Sequence, residues 1–462
     1  MIELLLFLLP VLGSQETRTK LLILPIEVRC SDSAAEIPAR ELRADIETVL
    51  SSVPEVAVRS VLVGEANFQR LARVADATAI LKATLSCEGG GGLGYFATVV
   101  ALPSGQRIGT AENGGYRHLL ELRDALVERT LALLDVPSRP AAAPPVVPAA
   151  FALYLKGAHR EAAALDPQFA LAWAGLGESE LEHGEEGGPE AEEHFDAAVR
   201  ALETALGLEP DLAMAIHALA SVYMRTGRTE DAAEVLKKRV LGQPRSARLH
   251  AKLGYVFRYA GLLEQSIAEY RVSQKLDASL ENRIATERQI IKALIYSERT
   301  AEAFDAYDSS SEWLTELGRD PDEKVQFYQG LGHLYAGEME LAVQRFDASI
   351  RTDPNSLWSR FAVAYRYAAT GERDGLIRLA DELERGNVSD GERRYRLAHL
   401  YSVAGLSEKA LGHLEASARS GFFSFPYTAS DRLLGNIKQS EEFERILRFI
   451  RQRHRAFAER EE

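Results

Sequence analysis

Paired stretches of helical hydrophobic spacing repeat along the chain from residue 170 to residue 417. Within each pair, apolar residues recur at intervals of three and four, which predicts two amphipathic helices joined by a short turn. The pairs recur every 34 residues, and Ile295 stands where one glycine of the series is missing. The glycines at the predicted turns are Gly227, Gly261, Gly337, Gly371 and Gly405. Glycine at this position allows the positive φ at which many helices end.

Small and large apolar residues keep fixed positions within this period. With Ala213 as position one, Ala220 and Ala232 occupy positions 8 and 20, and Tyr223 and Leu236 occupy positions 11 and 24. Small residues are expected where the two helices of a pair cross, and large residues where they fill the space beside the crossing. A 34-residue period with this distribution is typical of helix–turn–helix repeats that stack into a solenoid.

The pattern resembles the tetratricopeptide repeat (TPR) family over Ala170 to Ser417. The fullest match opens with Ala170-Leu-Ala-Trp-Ala-Gly-Leu-Gly177, where the family has its tryptophan, leucine and glycine. We count six repeats with partial helices at both ends. The first is about nine residues longer than usual between 177 and 198, and the fourth, near Leu280 to Arg319, lacks the motif residues. The resemblance implies an all-α solenoid whose concave groove binds a protein or peptide.

The region before the repeats alternates strand and helix patterns, as expected for a small α+β domain. We predict strands at Lys20–Val28, Val56–Val63, Ala79–Cys87, Tyr95–Leu102 and Arg107–Ala111, and helices at Ala35–Ser51, Glu65–Val74 and His118–Leu134. The segment Pro103-Ser-Gly-Gln106 predicts a hairpin turn. This order, with Ile-Leu-Pro-Ile near the start, resembles the TolB amino-terminal-like domain over Lys20 to Leu134. That resemblance implies an envelope or signalling context and protein contacts, with no assigned catalysis.

The fold class predicted is therefore an α+β N-terminal domain followed by an all-α TPR solenoid. The boundaries are a signal peptide at 1–14, a TolB-like domain at 15–136, a Pro/Ala-rich linker at 137–149, the solenoid at 150–420 and a C-terminal capping segment at 421–462. Five prolines between residues 137 and 148 favour an extended spacer.

The first fourteen residues have the apolar run and small residues of a secretory leader, although Glu3 replaces the usual basic start. We expect a periplasmic or secreted protein without an integral membrane segment after cleavage, and a cytoplasmic one if the leader is retained. The two cysteines, Cys30 and Cys87, leave a disulfide and two separate buried thiols both open. A net charge of −14 disfavours nucleic-acid binding, which normally needs a basic face.

The sequence offers no recognisable catalytic, cofactor or metal site, so we expect no enzyme. The segment Gly89–Gly94 contains GxGxxG, but a strand pattern follows it, whereas a nucleotide site needs a helix there. The long first repeat contains an acidic run between His183 and His194 that lacks the spacing of a known metal motif, and we expect a solvated surface.

In the family, positions 2, 5, 9 and 12 of each first helix face the groove. Arginine and aromatic residues at these positions would suit a peptide with acidic and apolar side chains, although packing between repeats would use the same aromatics. The groove candidates are His217, Arg248, Tyr255, Arg258, Trp358, Phe361, Tyr365, Tyr395 and His399. The amphipathic segment Glu441–Ala458 is expected to cover the last repeat, with a basic membrane-surface helix as the alternative.

Two functions follow as hypotheses. The first is a non-enzymatic scaffold or adaptor that binds a protein or peptide in the concave groove, in the bacterial envelope. The second is a regulatory module in which the N-terminal domain senses a ligand and the repeats act on a separate kinase, cyclase or transcription factor.

Overall fold

A computed structural model describes residues 19–29, 39–51, 53, 55–59, 72, 75–88, 92–116, 119–137, 146–242, 244, 246–316, 321–386 and 390–461. The predicted leader, most of the linker and almost all of the helix predicted at 65–74 lie outside these residues. The chain forms two compact units. The first contains the residues up to Ala172 with the short segment Ala278–Glu281, and the second contains Trp173–Asp277 and Asn282–Glu462.

The first unit contains a six-stranded mixed sheet. The strands lie in the order β3-β1-β4-β5-β6, and β2 also pairs with β4. β1 is parallel to β3 and β4, whereas β4, β5 and β6 are antiparallel neighbours. The strands are β1 Thr19–Ile23, β2 Glu27–Arg29, β3 Val56–Arg59, β4 Ala79–Glu88, β5 Gly92–Ala101 and β6 Arg107–Tyr116.

The strand predicted at residues 20–28 is divided in two by Pro25. Proline has no backbone N–H to donate to a neighbouring strand, so the ladder is interrupted there. β1 ends at Ile23 and pairs with the start of β4, while β2 begins at Glu27 and pairs with its end. The two short strands thus follow one long partner.

Among the described residues, two helices of several turns accompany this sheet, α1 (Ala39–Ser51) and α2 (Leu119–Leu133). α1 connects the parallel strands β1 and β3, and its apolar residues Leu42, Ile46 and Leu50 are fully buried. The hairpin turn predicted at 103–106 is confirmed, because β5 and β6 are antiparallel and Gly105 has φ 74°. The α+β character predicted for the N-terminal region is therefore present.

Eighteen helices follow in the described part of the chain, and most form antiparallel hairpins. α3 packs on α2, where the Arg123 guanidinium lies 5.1 Å from the centre of the Phe151 ring. The helices are α3 Pro148–Leu155, α4 His159–Leu165, α5 Ala170–Glu186, α6 Ala191–Leu208, α7 Ala213–Arg225, α8 Thr229–Gly242, α9 Ala247–Ala260, α10 Leu263–Leu276, α11 Leu280–Tyr296, α12 Thr300–Glu316, α13 Glu323–Ala336, α14 Met339–Thr352, α15 Leu357–Thr370, α16 Arg373–Arg385, α17 Gly391–Val403, α18 Ser407–Arg419, α19 Phe425–Ser430 and α20 Glu441–Glu461.

The hairpin turns confirm the 34-residue register. All five glycines of the series have a positive φ between 74° and 83°. In the fourth repeat, Glu298 takes this role with φ 61°, three residues after Ile295. α11 runs to Tyr296 and has 17 residues, against 14 in the first helices of the neighbouring hairpins, so the turn comes later. Gly261 and Gly337 are 76 residues apart, eight more than two periods, and the additional residues are divided between this longer helix and the segment after it.

From Ala170 to Arg419 the described residues form seven hairpins, α5–α6 to α17–α18, one more than the six repeats counted from the motif. Several first helices begin with a side-chain cap, which satisfies a backbone N–H left unpaired at a helix start. Asp322 accepts from the Val325 N–H at 2.9 Å, and Asp390 accepts from the Arg393 N–H at 3.0 Å. No helix among the described residues is both long enough and apolar enough to cross a membrane.

Candidate functional site

The first helices of the hairpins in the second unit turn their inner faces toward one another. Because each repeat presents the same register positions, residues one period apart lie side by side in successive repeats. Tyr365 on α15 shares a hydrogen bond of 2.7 Å with His399 on α17, one period later. Contacts over more than a hundred residues occur as well, and they determine how much of the inner surface remains accessible.

The end of the array folds back onto the second and third repeats. The Thr229 hydroxyl donates to the Gly421 carbonyl at 3.0 Å, and the Phe423 N–H donates to the Tyr259 carbonyl at 3.0 Å. At Gly227 a Cβ atom would lie 2.3 Å from the Arg419 carbonyl oxygen, so glycine is needed for this close approach. We call these contacts the closure of the array.

α20 spans the closure. Its apolar residues Phe443, Ile446 and Ile450 are buried. Farther along, Arg453 forms a salt bridge of 2.7 Å with Glu230 on α8, and the Phe457 ring lies edge-on to that of Phe257 on α9. The helix expected to cover the last repeat thus also contacts the second and third repeats.

A buried charge cluster lies where α9, α11, α13 and α17 meet. Glu392 accepts from Arg258 Nη1 at 2.9 Å and from Lys292 Nζ at 3.2 Å. The hydroxyls of Tyr296 and Tyr328 also donate to this carboxylate. One carboxylate therefore binds side chains from three other helices. We call Glu392 and these side chains the Glu392 cluster.

The cations around Glu392 determine whether its carboxyl group is protonated. Burial raises the pKa of the Glu392 carboxyl, but Arg258, Lys292 and Arg396 outweigh this effect and hold the pKa well below its usual range. Burial and the neighbouring Arg258 lower the pKa of the Lys292 ammonium group. The carboxylate is thus ionised and paired with cations inside the unit. Removing either partner would leave a buried charge without compensation.

A second buried group surrounds Asp431, which follows α19. Its carboxylate accepts from His399 Nε2 at 2.5 Å and from the Tyr395 hydroxyl at 2.9 Å. Burial lowers the pKa of His399, against the opposing effect of Asp431. A neutral imidazole fits this network, with Nε2 donating to Asp431 and Nδ1 accepting from the Tyr365 hydroxyl.

The structure distributes the predicted groove residues between interior and surface. Six are buried, including Arg258, Phe361, Tyr365, Tyr395 and His399. The sixth, His217, lies on α7 and is 7% exposed. Trp358 and Tyr255 are half-buried, and Arg248 is exposed. A partner could reach only the last three without opening the array.

The accessible part of the inner surface lies on α9. Lys252 Nζ donates to the Ser221 hydroxyl at 2.7 Å and lies 5.7 Å from the centre of the Tyr255 ring. Arg248 lies one helical turn before Lys252, on the same side of the helix. We call Arg248, Lys252 and Tyr255 the α9 patch.

The α9 patch is cationic. In the described part of the chain, neither Arg248 nor Lys252 forms an ion pair with a carboxylate. Burial, together with Arg225 and Arg248, lowers the pKa of Lys252 to about 8. Burial also lowers the pKa of His217, and the neighbouring Arg248 and Lys252 add to the effect. Burial raises the pKa of Glu178, against the opposing effect of the neighbouring Arg248. An added anion would therefore be stabilised here.

Sequence reasoning missed Lys252 and Glu392. Lys252 lies four residues after Arg248, a spacing that places both on one helical face and could have identified it. Glu392 occupies position 2 of the last repeat, the position that Arg248 occupies in the third. The partner of Glu392, Arg258, occupies position 12 of the third repeat, so the two register positions alone did not indicate the pairing.

Two other predicted features lie in the first unit. Gly92 and Gly94 are part of β5 and pair with β4, so the glycine-rich segment leads into a strand. Cys87, at the end of β4, is disulfide-bonded. Cys30 is the only other cysteine of the chain and lies outside the described residues.

A tetratricopeptide repeat family model matches residues 190–254. Among solved structures, a thermophilic TPR protein of Thermus thermophilus is 18% identical over 45% of this chain and 99% of its own, with a TM-score of 0.32. PilF of Pseudomonas aeruginosa is 17% identical over 60% and 95%, with a TM-score of 0.26. A Rap protein in complex with competence and sporulation factor is 10% identical over 67% and 97%, with a TM-score of 0.45. The comparison with curated proteins found no match. Residues 190–254 thus match the tetratricopeptide repeat family, and the helices of the chain form a TPR-like array that follows a small α+β region.

Proposed function

We propose that the second unit is a non-enzymatic scaffold or adaptor that binds an acidic segment of a protein partner at the α9 patch. The family match favours a role in protein–protein interaction. The observation that carries the proposal is the pair of cations, Arg248 and Lys252, which have no carboxylate ion-pair partner among the described residues. Lys252 also lies 5.7 Å from the centre of the half-buried Tyr255 ring.

The chemistry of the patch defines the partner. A partner carboxylate between Arg248 and Lys252 would form charge-assisted hydrogen bonds, which are roughly twice as strong as neutral ones. An apolar side chain next to that carboxylate would pack on Tyr255, since aromatic residues are frequent anchors at interfaces. The segment we propose is a short peptide with an acidic residue flanked by an apolar one.

Binding to an array of peptides tests the proposal. Acidic–apolar peptides should bind the purified chain, and amide versions of the same peptides should bind at least tenfold more weakly. Arg248→Ala combined with Lys252→Ala should weaken binding by a similar factor, because it removes both cations. The matched control is Lys238→Ala combined with Arg378→Ala, which removes two exposed cations from the second helices of other hairpins. Equal loss in both double variants would refute the α9 patch as the binding site.

We propose further that the protein acts in the bacterial envelope, with a TolB-like N-terminal domain. The leader pattern at residues 1–14 and the strand–helix order of the first unit support this proposal. Sequencing the N-terminus of the protein recovered from its native host tests it. Cleavage close to Ser14 is expected, and recovery of an intact Met1 in the cytoplasmic fraction would reject it.

A further inference from the structure

Three metal-ligating side chains converge in the long first hairpin of the array. Glu180 and His183 lie one turn apart near the end of α5, and His194 lies in the first turn of α6. One ligand atom from each lies within 4.8 Å of the other two. Glu180 Oε2 is 2.7 Å from His194 Nδ1, and the two imidazole centres are 5.3 Å apart.

The backbone holds these residues together. α5 and α6 approach closely at Gly184, where a Cβ atom would lie 2.6 Å from the Phe195 ring. The connection between the helices turns sharply through Gly187 and Gly188, both with a positive φ. Since both helices are fixed by this packing, the facing side chains need only rotate to meet.

The ligand set suits a transition metal. Two imidazoles and one carboxylate are the protein ligands of open zinc sites, in which the fourth position is taken by water. Imidazole also suits copper and nickel, whereas magnesium and calcium prefer oxygen ligands alone. Zinc distances of about 2.0–2.2 Å require the ligand atoms to move closer together than 4.8 Å. His183 is exposed and can make this movement, while the buried Glu180 supplies a fixed anchor.

We propose that Glu180, His183 and His194 bind one divalent transition-metal ion of the Zn²⁺ type. Bound there, the ion would connect α5 to α6 beside the short turn at residues 187–190 of the first hairpin. The ion would then act as a structural clamp, stabilising the folded hairpin by mass action. This site is separate from the α9 patch and does not depend on the proposed function.

Zinc titration of the chelator-treated full chain tests the site. We expect saturable binding of one Zn²⁺ per chain in a calorimeter. His183→Ala and His194→Ala should each weaken binding at least tenfold. His183 is exposed, so its replacement leaves the packing of the hairpin intact. Titration with Co²⁺ should give the absorption bands of a four-coordinate ion, and His183→Ala should remove them.

A control variant distinguishes binding by these three ligands from non-specific attraction of the cation to nearby carboxylates. Glu192→Gln combined with Glu193→Gln removes two exposed carboxylates at the start of α6 but leaves the three ligands in place. This variant should bind Zn²⁺ within about twofold of the wild type. The proposal is overturned if no stoichiometric binding occurs, if His183→Ala binds as tightly as the wild type, or if the control loses as much affinity as the histidine variants.

Discussion

Arg258 and Glu392 form a salt bridge of 2.9 Å in the interior of the second unit, although 134 residues separate them. Their side chains are almost fully buried, at 0% and 5% exposure. An isolated charge in such a place would be costly, so each residue depends on the other. The contact joins the third repeat to the last and makes the array a closed unit.

Removal of the Glu392 carboxylate should strongly destabilise the second unit. Glu392→Ala leaves Arg258 and Lys292 buried without their anion, and breaking such a pair is expected to cost about 3–5 kcal/mol. Urea unfolding followed by circular dichroism measures the effect. The control is Glu382→Ala, which removes an exposed partner of Arg360 and should cost at most about 1 kcal/mol. Similar losses in both variants would show that the cluster does not stabilise the closure.

The closure also depends on glycine at the two turns that it contacts, Gly227 and Gly261, more than at their equivalents. A Cβ at Gly337 meets no atom within 4 Å, so Gly337→Ala brings only the strain of a left-handed residue, about 1–2 kcal/mol. Gly227→Ala adds a collision with the Arg419 carbonyl, which should cost about 1–3 kcal/mol more. Thermal unfolding of the two variants gives the difference directly. Equal melting temperatures would contradict the close approach of the two segments.

The local structure was predictable from sequence because it depends on local signals. Glycine at the turns and small residues at the helix crossings act within one repeat, and the structure confirms the positive φ at Gly227 and its four equivalents. The closure was not predictable in this way. It depends on a small rotation between successive repeats, added over several units, and no single motif residue determines that rotation. Tyr395 and His399 were therefore expected in an open groove, although both are buried.

The N-terminal sheet shows the same distinction. Alternation and turn residues predicted β4, β5 and the hairpin after β5 well, because those features are adjacent in sequence. β2 pairs with the far end of β4, which lies more than fifty residues later in the sequence. The alternation of apolar and polar residues does not indicate which residues of two such distant strands lie opposite each other. In the candidate metal site, Glu180 was overlooked because the helical spacing of Glu180 and His183 becomes meaningful only when α6 brings His194 beside them.

Acid should destabilise the second unit through His399. The pKa of His399 is lowered, so the unfolded chain binds its proton more readily than the folded one. The contribution is complete above the unfolded pKa of about 6.5 and is lost as the pH falls below it. The free energy of unfolding, measured in urea from pH 7 to pH 5, should fall more steeply in the wild type than in His399→Gln.

The pKa of His250 is shifted in the opposite direction to that of His399, so its effect on stability should have the opposite pH dependence. Its hydrogen bond to Glu269 raises its pKa, so its contribution is complete below about pH 6.5 and is lost as the pH rises through the raised value. His250→Gln should therefore lose stability more steeply than the wild type over the same acid range. Parallel pH curves for the wild type and both variants would contradict these assignments.

Binding of an acidic peptide should be linked to the protonation of Lys252. The pKa of Lys252 is about 8 in the free protein, and a bound carboxylate would raise it because it favours the charged ammonium group. Affinity should therefore be greatest below pH 8 and fall about tenfold by pH 9.5. Lys252→Arg should bind the same peptide with little change over this range, because guanidinium remains protonated throughout. Calorimetric titration at pH 7, 8 and 9.5 measures both proteins. If the Arg variant shows the same loss at high pH as the wild type, the peptide carboxylate does not lie against Lys252.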